Sequence, residues 1–124
     1  MQQSYVGIDI IEINRIREAI SRWGEHFLRR VYSDSELELY RSKAESLAAR
    51  FAAKEAAIKA LSAPGITISW QEIEILSDTD GKPVVNLYGQ AKEQARKLGL
   101  YGLEISLSHS RENAIALVIG TREG

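Results

Sequence analysis

From Glu45 to Leu61 the chain reads as one long alanine-rich helix. Inside it, the run Phe51-Ala-Ala-Lys-Glu55-Ala-Ala-Ile-Lys59-Ala-Leu61 sets a carboxylate where an amphipathic helix should be apolar. With about 3.6 residues per turn, Glu55 falls on one stripe with Phe51, Ala48 and Ile58. A charge on a core-facing stripe has to find a partner, be neutralised or hold a metal, because an unpaired buried carboxylate is costly. Whatever packs on this helix must bring a partner for that charge as well as apolar surface.

The rest of the chain predicts what does the packing. Tyr5 to Ile13 is an isoleucine-rich apolar run, read as a strand covered on both faces with Asp9 set in it. Helical spacing follows from Arg15 to Trp23 and ends at Gly24, with a short helical piece from His26 to Val31. Ser33-Asp34-Ser35-Glu36 is N-cap chemistry for a helix to about Arg41, and Pro64-Gly65 stops the long helix. Ile68 to Leu76 and Val84 to Leu87, joined by the turn Asp78 to Pro83, predict a hairpin. Tyr88 to Leu98 predicts a helix capped by Gly99, and Leu103 to Ser108 and Ala114 to Gly120 flank the turn His109 to Asn113. Without a repeat or linker, residues 1–124 form a single compact domain of the α+β class, mainly antiparallel sheet with helices packed on it. A doubly wound sheet is disfavoured, because regular strand-helix alternation and a glycine-rich phosphate loop are both missing.

Composition excludes several function classes. With no cysteine there is no disulfide framework, thiolate zinc site or cysteine nucleophile, and no apolar run reaches the ~18 residues of a membrane span. A cytoplasmic protein is the expectation. The net charge of −1 gives no general attraction to nucleic acid. Locally, however, Arg15, Arg17, Arg22, Arg29 and Arg30 face only Glu18 and Glu25 in the same stretch, a patch able to steer an acidic macromolecule.

Asp9 and Glu55 are hard oxygen ligands of the kind magnesium prefers, and two carboxylates leave coordination positions for water and substrate phosphates. Lys59, one turn beyond Glu55, can face the same cleft and hold a phosphate oxygen; Arg50 lies on the helix flank. The spacing leaves open a plainer arrangement in which Glu55 pairs with Lys59, Asp9 caps a neighbouring element and Arg50 is a solvated surface residue. His109, in Ser106-Leu-Ser108-His109-Ser110, stands at a turn where hydroxyls and backbone N–H groups can meet an anion. A serine hydrolase triad lacks its Gly-x-Ser-x-Gly elbow, and His26 reads as a structural or surface residue.

Four segments match one pattern in order: Gly7-Ile-Asp9-Ile-Ile-Glu-Ile-Asn-Arg15-Ile16, Arg50 to Leu61, Asp80-Gly-Lys82-Pro83-Val-Val-Asn-Leu-Tyr-Gly89, and Ser106-Leu-Ser-His109. Over almost its whole length the chain resembles the holo-acyl-carrier-protein synthases, small bacterial 4′-phosphopantetheinyl transferases. The resemblance implies transfer of the phosphopantetheine arm of coenzyme A to a serine of apo-acyl carrier protein. The other product is adenosine 3′,5′-bisphosphate, and the reaction supports fatty-acid synthesis. It implies that Asp9 and Glu55 hold a magnesium ion on the coenzyme A diphosphate and that Lys59 stabilises charge or protonates the leaving group. The base that takes the serine proton stays open. By the same matching, Arg50, Lys82, Pro83, His109 and Ser110 line the coenzyme A site, and Arg15 and Arg22 receive the acidic carrier protein. The family's enzymes are commonly homotrimers with active sites between subunits, so Asp9 and His109 are expected to reach Glu55 from a neighbouring chain. One departure stands out: the family's Leu-Gly-Thr-Gly is here Leu61-Ser62-Ala63-Pro64-Gly65.

Overall fold

A computed structural model describes residues 2–123, so Met1 and Gly124, the outermost residues of the expected domain, lie outside the described residues. Eleven residues of strand β1 (Gln2–Glu12) run directly into α1 (Ile13–Trp23). Gly24 ends α1 with φ 55°, and its N–H closes on the Ile20 carbonyl before α2 (Glu25–Val31) begins. α3 (Asp34–Tyr40) starts on a complete capping box: Ser33 Oγ accepts from Glu36 N, and the Glu36 carboxylate accepts from Ser33 N. α4 (Ala44–Leu61) is the long helix, and Ser62 Oγ closes its end by donating to the Lys59 carbonyl at 3.2 Å.

The span Ile68 to Leu76 departs from the expected continuous strand. Residues Trp70–Glu72 form a 3-10 turn, held by Glu72 N to Ser69 O at 3.1 Å, and β2 covers only Ile73–Ser77. β3 (Pro83–Leu87) returns antiparallel, α5 (Gly89–Lys97) follows, and β4 (Leu103–His109) and β5 (Asn113–Glu123) make the last hairpin. The strands form a two-stranded sheet, β2-β3, and a three-stranded antiparallel sheet in the order β1-β5-β4. The class is therefore α+β.

α4 is the axis of the molecule. Ala52, Ala53, Ala56, Ala57 and Ala60 are buried, and packed with them are Ala116 and Val118 of β5, Ile73 and Ile75 of β2, and Ala91 and Ala95 of α5. A second cluster joins Ile13, Ile16, Leu28, Val31, Leu37 and Leu47. Small side chains let the three-stranded sheet come close: a Cβ added at Gly7 would lie 1.8 Å from the Ala56 carbonyl oxygen.

Two expectations change here. β1 is covered on one face only, because Gly7, Asp9 and Ile11 turn toward α4 while Val6 (56%), Ile8 (54%) and Ile10 (62%) remain exposed on the other. Glu55, expected in the core, is half-buried on a margin shared with Phe51 and Ile58. The deeply buried charges of α4 are instead Lys54 (0% exposed) and Arg50 (6%).

Candidate active site

β1 carries Asp9 onto α4 because Gly7, two residues earlier on the same face, sits against the Ala56–Ala60 turn. Asp9 Oδ1 lies 2.9 Å from Lys59 Nζ, which also donates to the Ile8 carbonyl at 3.1 Å. The plain arrangement, Glu55 with Lys59, is not the one formed, since the lysine crosses to the strand. Among the described residues, Glu55 has neither a hydrogen bond nor an ion pair, although it is half-buried and one turn from Lys59. The meeting of Asp9 with α4 takes place within one chain, so Asp9 needs no neighbouring subunit to reach the helix that bears Glu55.

Lys59 and Asp9 meet where β1 packs on α4, one turn from Glu55, and the cation there is accessible. The Lys59 side chain is 58% exposed, against 21% for Asp9, so the ammonium can turn to another partner. No cluster of three or more His, Cys, Asp or Glu side chains gathers among the described residues, so there is no all-protein metal cage. A pair of carboxylates on strand and helix fits a divalent cation that completes its shell with water and phosphate oxygens, as magnesium does.

The other expected site residues lie elsewhere. His109 ends β4, in register with Ala114 and, across β5, with Ile11, whereas Asp9 registers with Ala116 and Leu107. β5 therefore stands between them, roughly 12 Å apart by backbone geometry of two interstrand steps and two residues along the strand. Ser110 Oγ accepts from Glu112 N at 3.3 Å and Asn113 N at 3.1 Å, closing the turn. His109 is exposed there with Arg17, Glu45 and Arg111 around a cleft of about 520 Å³. Lys82 and Pro83 flank the β2–β3 turn, where Asp78 Oδ1 accepts from Asp80 N and Lys82 N, and they face Leu103 and Glu104 across a separate cleft of about 440 Å³.

Arg50 is neither the solvated residue of the plain reading nor a free phosphate ligand. Its Nε donates to the Ile75 carbonyl at 3.0 Å, Nη1 to Ser46 O at 3.4 Å and Nη2 to Ser77 Oγ at 3.2 Å. Its guanidinium stacks 3.6 Å from the Tyr40 ring centroid. Burial lowers its affinity for the proton, and the neighbouring Tyr40 and Glu36 oppose that effect.

Arg15 and Arg22 are both exposed on α1, Arg15 beside Glu12 at 3.9 Å and Arg22 over Trp23 at 5.2 Å. Next to Arg22, at the Trp23 end of α1, lies an apolar groove of about 400 Å³ lined by Trp23, Phe27, Arg30, Phe51 and Trp70. Phe51 is one turn before Glu55, so this groove adjoins Glu55 along α4. The sequence offered no signal for this groove, since Gly24 parts Trp23 on α1 from Phe27 on α2 and Trp70 is delivered by the 3-10 turn, which the alternating pattern concealed.

Residues 5–118 match the profile of the 4′-phosphopantetheinyl transferase superfamily. Over 93% of its length the chain is 57% identical to a holo-[acyl-carrier-protein] synthase of Dehalococcoides mccartyi, of which it covers 96%. It superimposes on the crystal structure of the Helicobacter pylori holo-[acyl-carrier-protein] synthase in complex with coenzyme A with a TM-score of 0.82. That match is 37% identical and covers 93% of this chain and 98% of the other. A holo-ACP synthase of Plasmodium yoelii, 28% identical, gives a TM-score of 0.85 over 100% of this chain and 99% of the other.

Proposed function

Because the chain belongs to the 4′-phosphopantetheinyl transferase superfamily, we propose that it moves the phosphopantetheine group of coenzyme A onto a serine of apo-acyl carrier protein, in support of fatty-acid synthesis. The serine oxygen forms the new bond to phosphorus as the bond to the departing adenosine 3′,5′-bisphosphate breaks. The observation that carries this reading is the Lys59–Asp9 contact, with Glu55 one turn away and without a protein partner.

Asp9 and Glu55 are the residues that would hold magnesium. When bound, the ion supplies neutralisation of the diphosphate and of the charge that grows on the leaving oxygen. The Lys59 ammonium, released from Asp9, offers its N–H groups to phosphate oxygens. The Glu55 carboxylate oxygen that would not face the metal, with no donor on it among the described residues, is the acceptor for the serine proton. His109, Ser110, Lys82 and Pro83 complete the coenzyme A site from a second copy of the chain in a homotrimer. Two observations favour this: β5 separates His109 from Asp9, and β1 leaves Val6, Ile8 and Ile10 uncovered. Arg22 beside the Trp23–Phe27–Phe51–Trp70 groove, with Arg15 two turns back along exposed α1, suits an acidic amphipathic helix, the chemistry of a carrier protein's docking face. Cytoplasmic residence belongs to the same reading.

The test is incubation with coenzyme A, magnesium and apo-carrier, followed by mass spectrometry of the carrier. The expected result is a gain of one phosphopantetheine, lost on chelation of the metal and in Asp9→Ala and Glu55→Ala variants that remain folded. No adduct with the unsubstituted protein would overturn the reading, and full activity of either variant would overturn the metal assignment.

A further inference from the structure

The buried charges of α4 sit on the face turned away from Asp9, and the site as described makes no use of them. β2 pairs with β3 on one edge only, so the backbone groups of its other edge need partners. Three side chains supply them. Lys54 Nζ donates to the Ile73 carbonyl, Arg50 Nε donates to the Ile75 carbonyl, and Ile75 N donates to Glu36 Oε2 at 2.8 Å. Lys54 Nζ also reaches Trp70 O at 3.1 Å and Glu36 Oε1 at 2.9 Å. Two cations and a carboxylate thus take the place of a neighbouring strand.

The spacing makes this arrangement directional. Residues four apart on a helix are separated by about 6 Å along its axis, and residues two apart on a strand by about 6.7 Å. Arg50 and Lys54 therefore match Ile75 and Ile73, and sliding α4 by one residue breaks both contacts together. On the opposite side of the helix, Gly7 against Ala56 and Asp9 against Lys59 depend on the same axial setting. Apolar side chains at 50 and 54 would fill the space yet leave the Ile73 and Ile75 carbonyls without partners, and they would slide more easily. Buried ion pairs contribute little net stability but can specify register.

We propose that Arg50 and Lys54, with Glu36 behind them, are positioning residues that set α4 on the β2 edge and so place Glu55 and Lys59 opposite Asp9. This rests on the reading of Asp9, Glu55 and Lys59 as the phosphoryl-transfer site. The test uses the full chain carrying Lys54→Met together with Glu36→Gln, which removes both charges of the pair, and separately Arg50→Lys, which keeps a cation and loses the fork. Folding is followed by circular dichroism melting. Transfer is followed as kcat and KM for the carrier. Metal binding is followed by the loss of the free Mn²⁺ resonance on titration with Mn²⁺ in the presence of coenzyme A.

The expected result is a folded protein with kcat reduced, and Mn²⁺ dissociation constant raised, by about tenfold or more, while KM for the carrier stays unchanged. A folded double variant that matches an active unsubstituted protein in kcat and in Mn²⁺ binding overturns the inference alone. If the double variant does not fold, Arg50→Lys decides by the same criteria. An unsubstituted protein that neither transfers nor binds Mn²⁺ overturns the reading of the site, and this inference with it. If it binds Mn²⁺ without transferring, only the proposed reaction falls, and the Mn²⁺ titrations of the variants still decide the inference.

Discussion

Gly7 shows how much can depend on one missing methyl group. Its backbone lies in an ordinary strand, so the need for glycine comes from contact and not from torsion: an added Cβ would sit 1.8 Å from Ala56 O and 2.7 Å from Ala56 C. Backbone cannot swing aside as a side chain can, so Gly7→Ala must lift β1 from α4. The expected cost is about 1–3 kcal/mol in urea unfolding, the usual range for overpacking. Asp9 moves away from Lys59 with the strand, so transfer activity should fall further than stability. At this scale the sequence singled out Asp9, Glu55 and Lys59, and the structure brings Asp9 to Lys59 with Glu55 one turn away, on the margin of α4 and not in the core as its stripe suggests. The roles of Lys54 and Arg50 were not legible, because a lysine or arginine flanked by alanines looks the same whether it faces solvent or the carbonyls of an edge strand. Glu36 was read only as the end of a capping box; that its second oxygen reaches Ile75 N requires knowing that β2 lies there.

Helix caps and turns carry their own chemistry in a few adjacent residues, so α1, α3 and α5 were legible nearly to the residue. The span Ile68 to Leu76 was not, because Ser69 and Glu72 bond to each other locally (Ser69 Oγ to Glu72 Oε2, 3.2 Å) and tighten what alternation alone predicts as a strand. The contact between α3 and the β2–β3 hairpin makes a pH-dependent prediction. Burial by itself would raise the affinity of the Glu74 carboxylate for the proton. Hydrogen bonds from Ser33 at 2.6 Å, Asn86 at 3.2 Å and Tyr88 at 3.3 Å, with the charge of Lys54, outweigh burial and hold it below the usual range. A carboxylate depressed in the folded state stabilises at pH values above its unfolded pKa of about 4.3 and loses that contribution as pH falls through the lower folded value. Glu74→Gln should therefore cost about 1 kcal/mol or somewhat more at pH 7, and the gap from the unsubstituted protein should close in acid. Urea midpoints at both pH values measure it.

For the molecule as a whole, the α+β class and the element order were legible, whereas the two-sided character of the main sheet was not. An apolar run such as Tyr5 to Ile13 predicts cover on both faces, and one chain covers only one. Val6, Ile8 and Ile10 register across β5 with Ile119, Leu117 and Ile115, so the uncovered face is apolar over two strands and polar at Glu104, Ser106 and Ser108 on β4. In the homotrimer proposed above, further copies of the chain cover this face. Light scattering should give the mass of three chains for the unsubstituted protein and of one for Ile8→Glu, a position whose side chain points away from α4. Transfer by the monomeric variant should be lost, because His109 would no longer reach Glu55. A trimeric Ile8→Glu protein, or a fully active monomer, would overturn this arrangement.

The pairing of β1 with β5 joins the first strand described to the last, Tyr5 opposite Gly120, with all the other elements between them. During synthesis β1 leaves the ribosome long before β5 exists, and α4 emerges with only one of the strands that pack on it. The sheet closes only after the whole intervening chain has been made, so its contacts are among the most distant in sequence that the chain can form. Such contacts set a slow folding rate. Until β5 arrives, β1 has no partner along its edge while Val6, Ile8 and Ile10 stand open, and this interval is when the nascent protein is most exposed to aggregation.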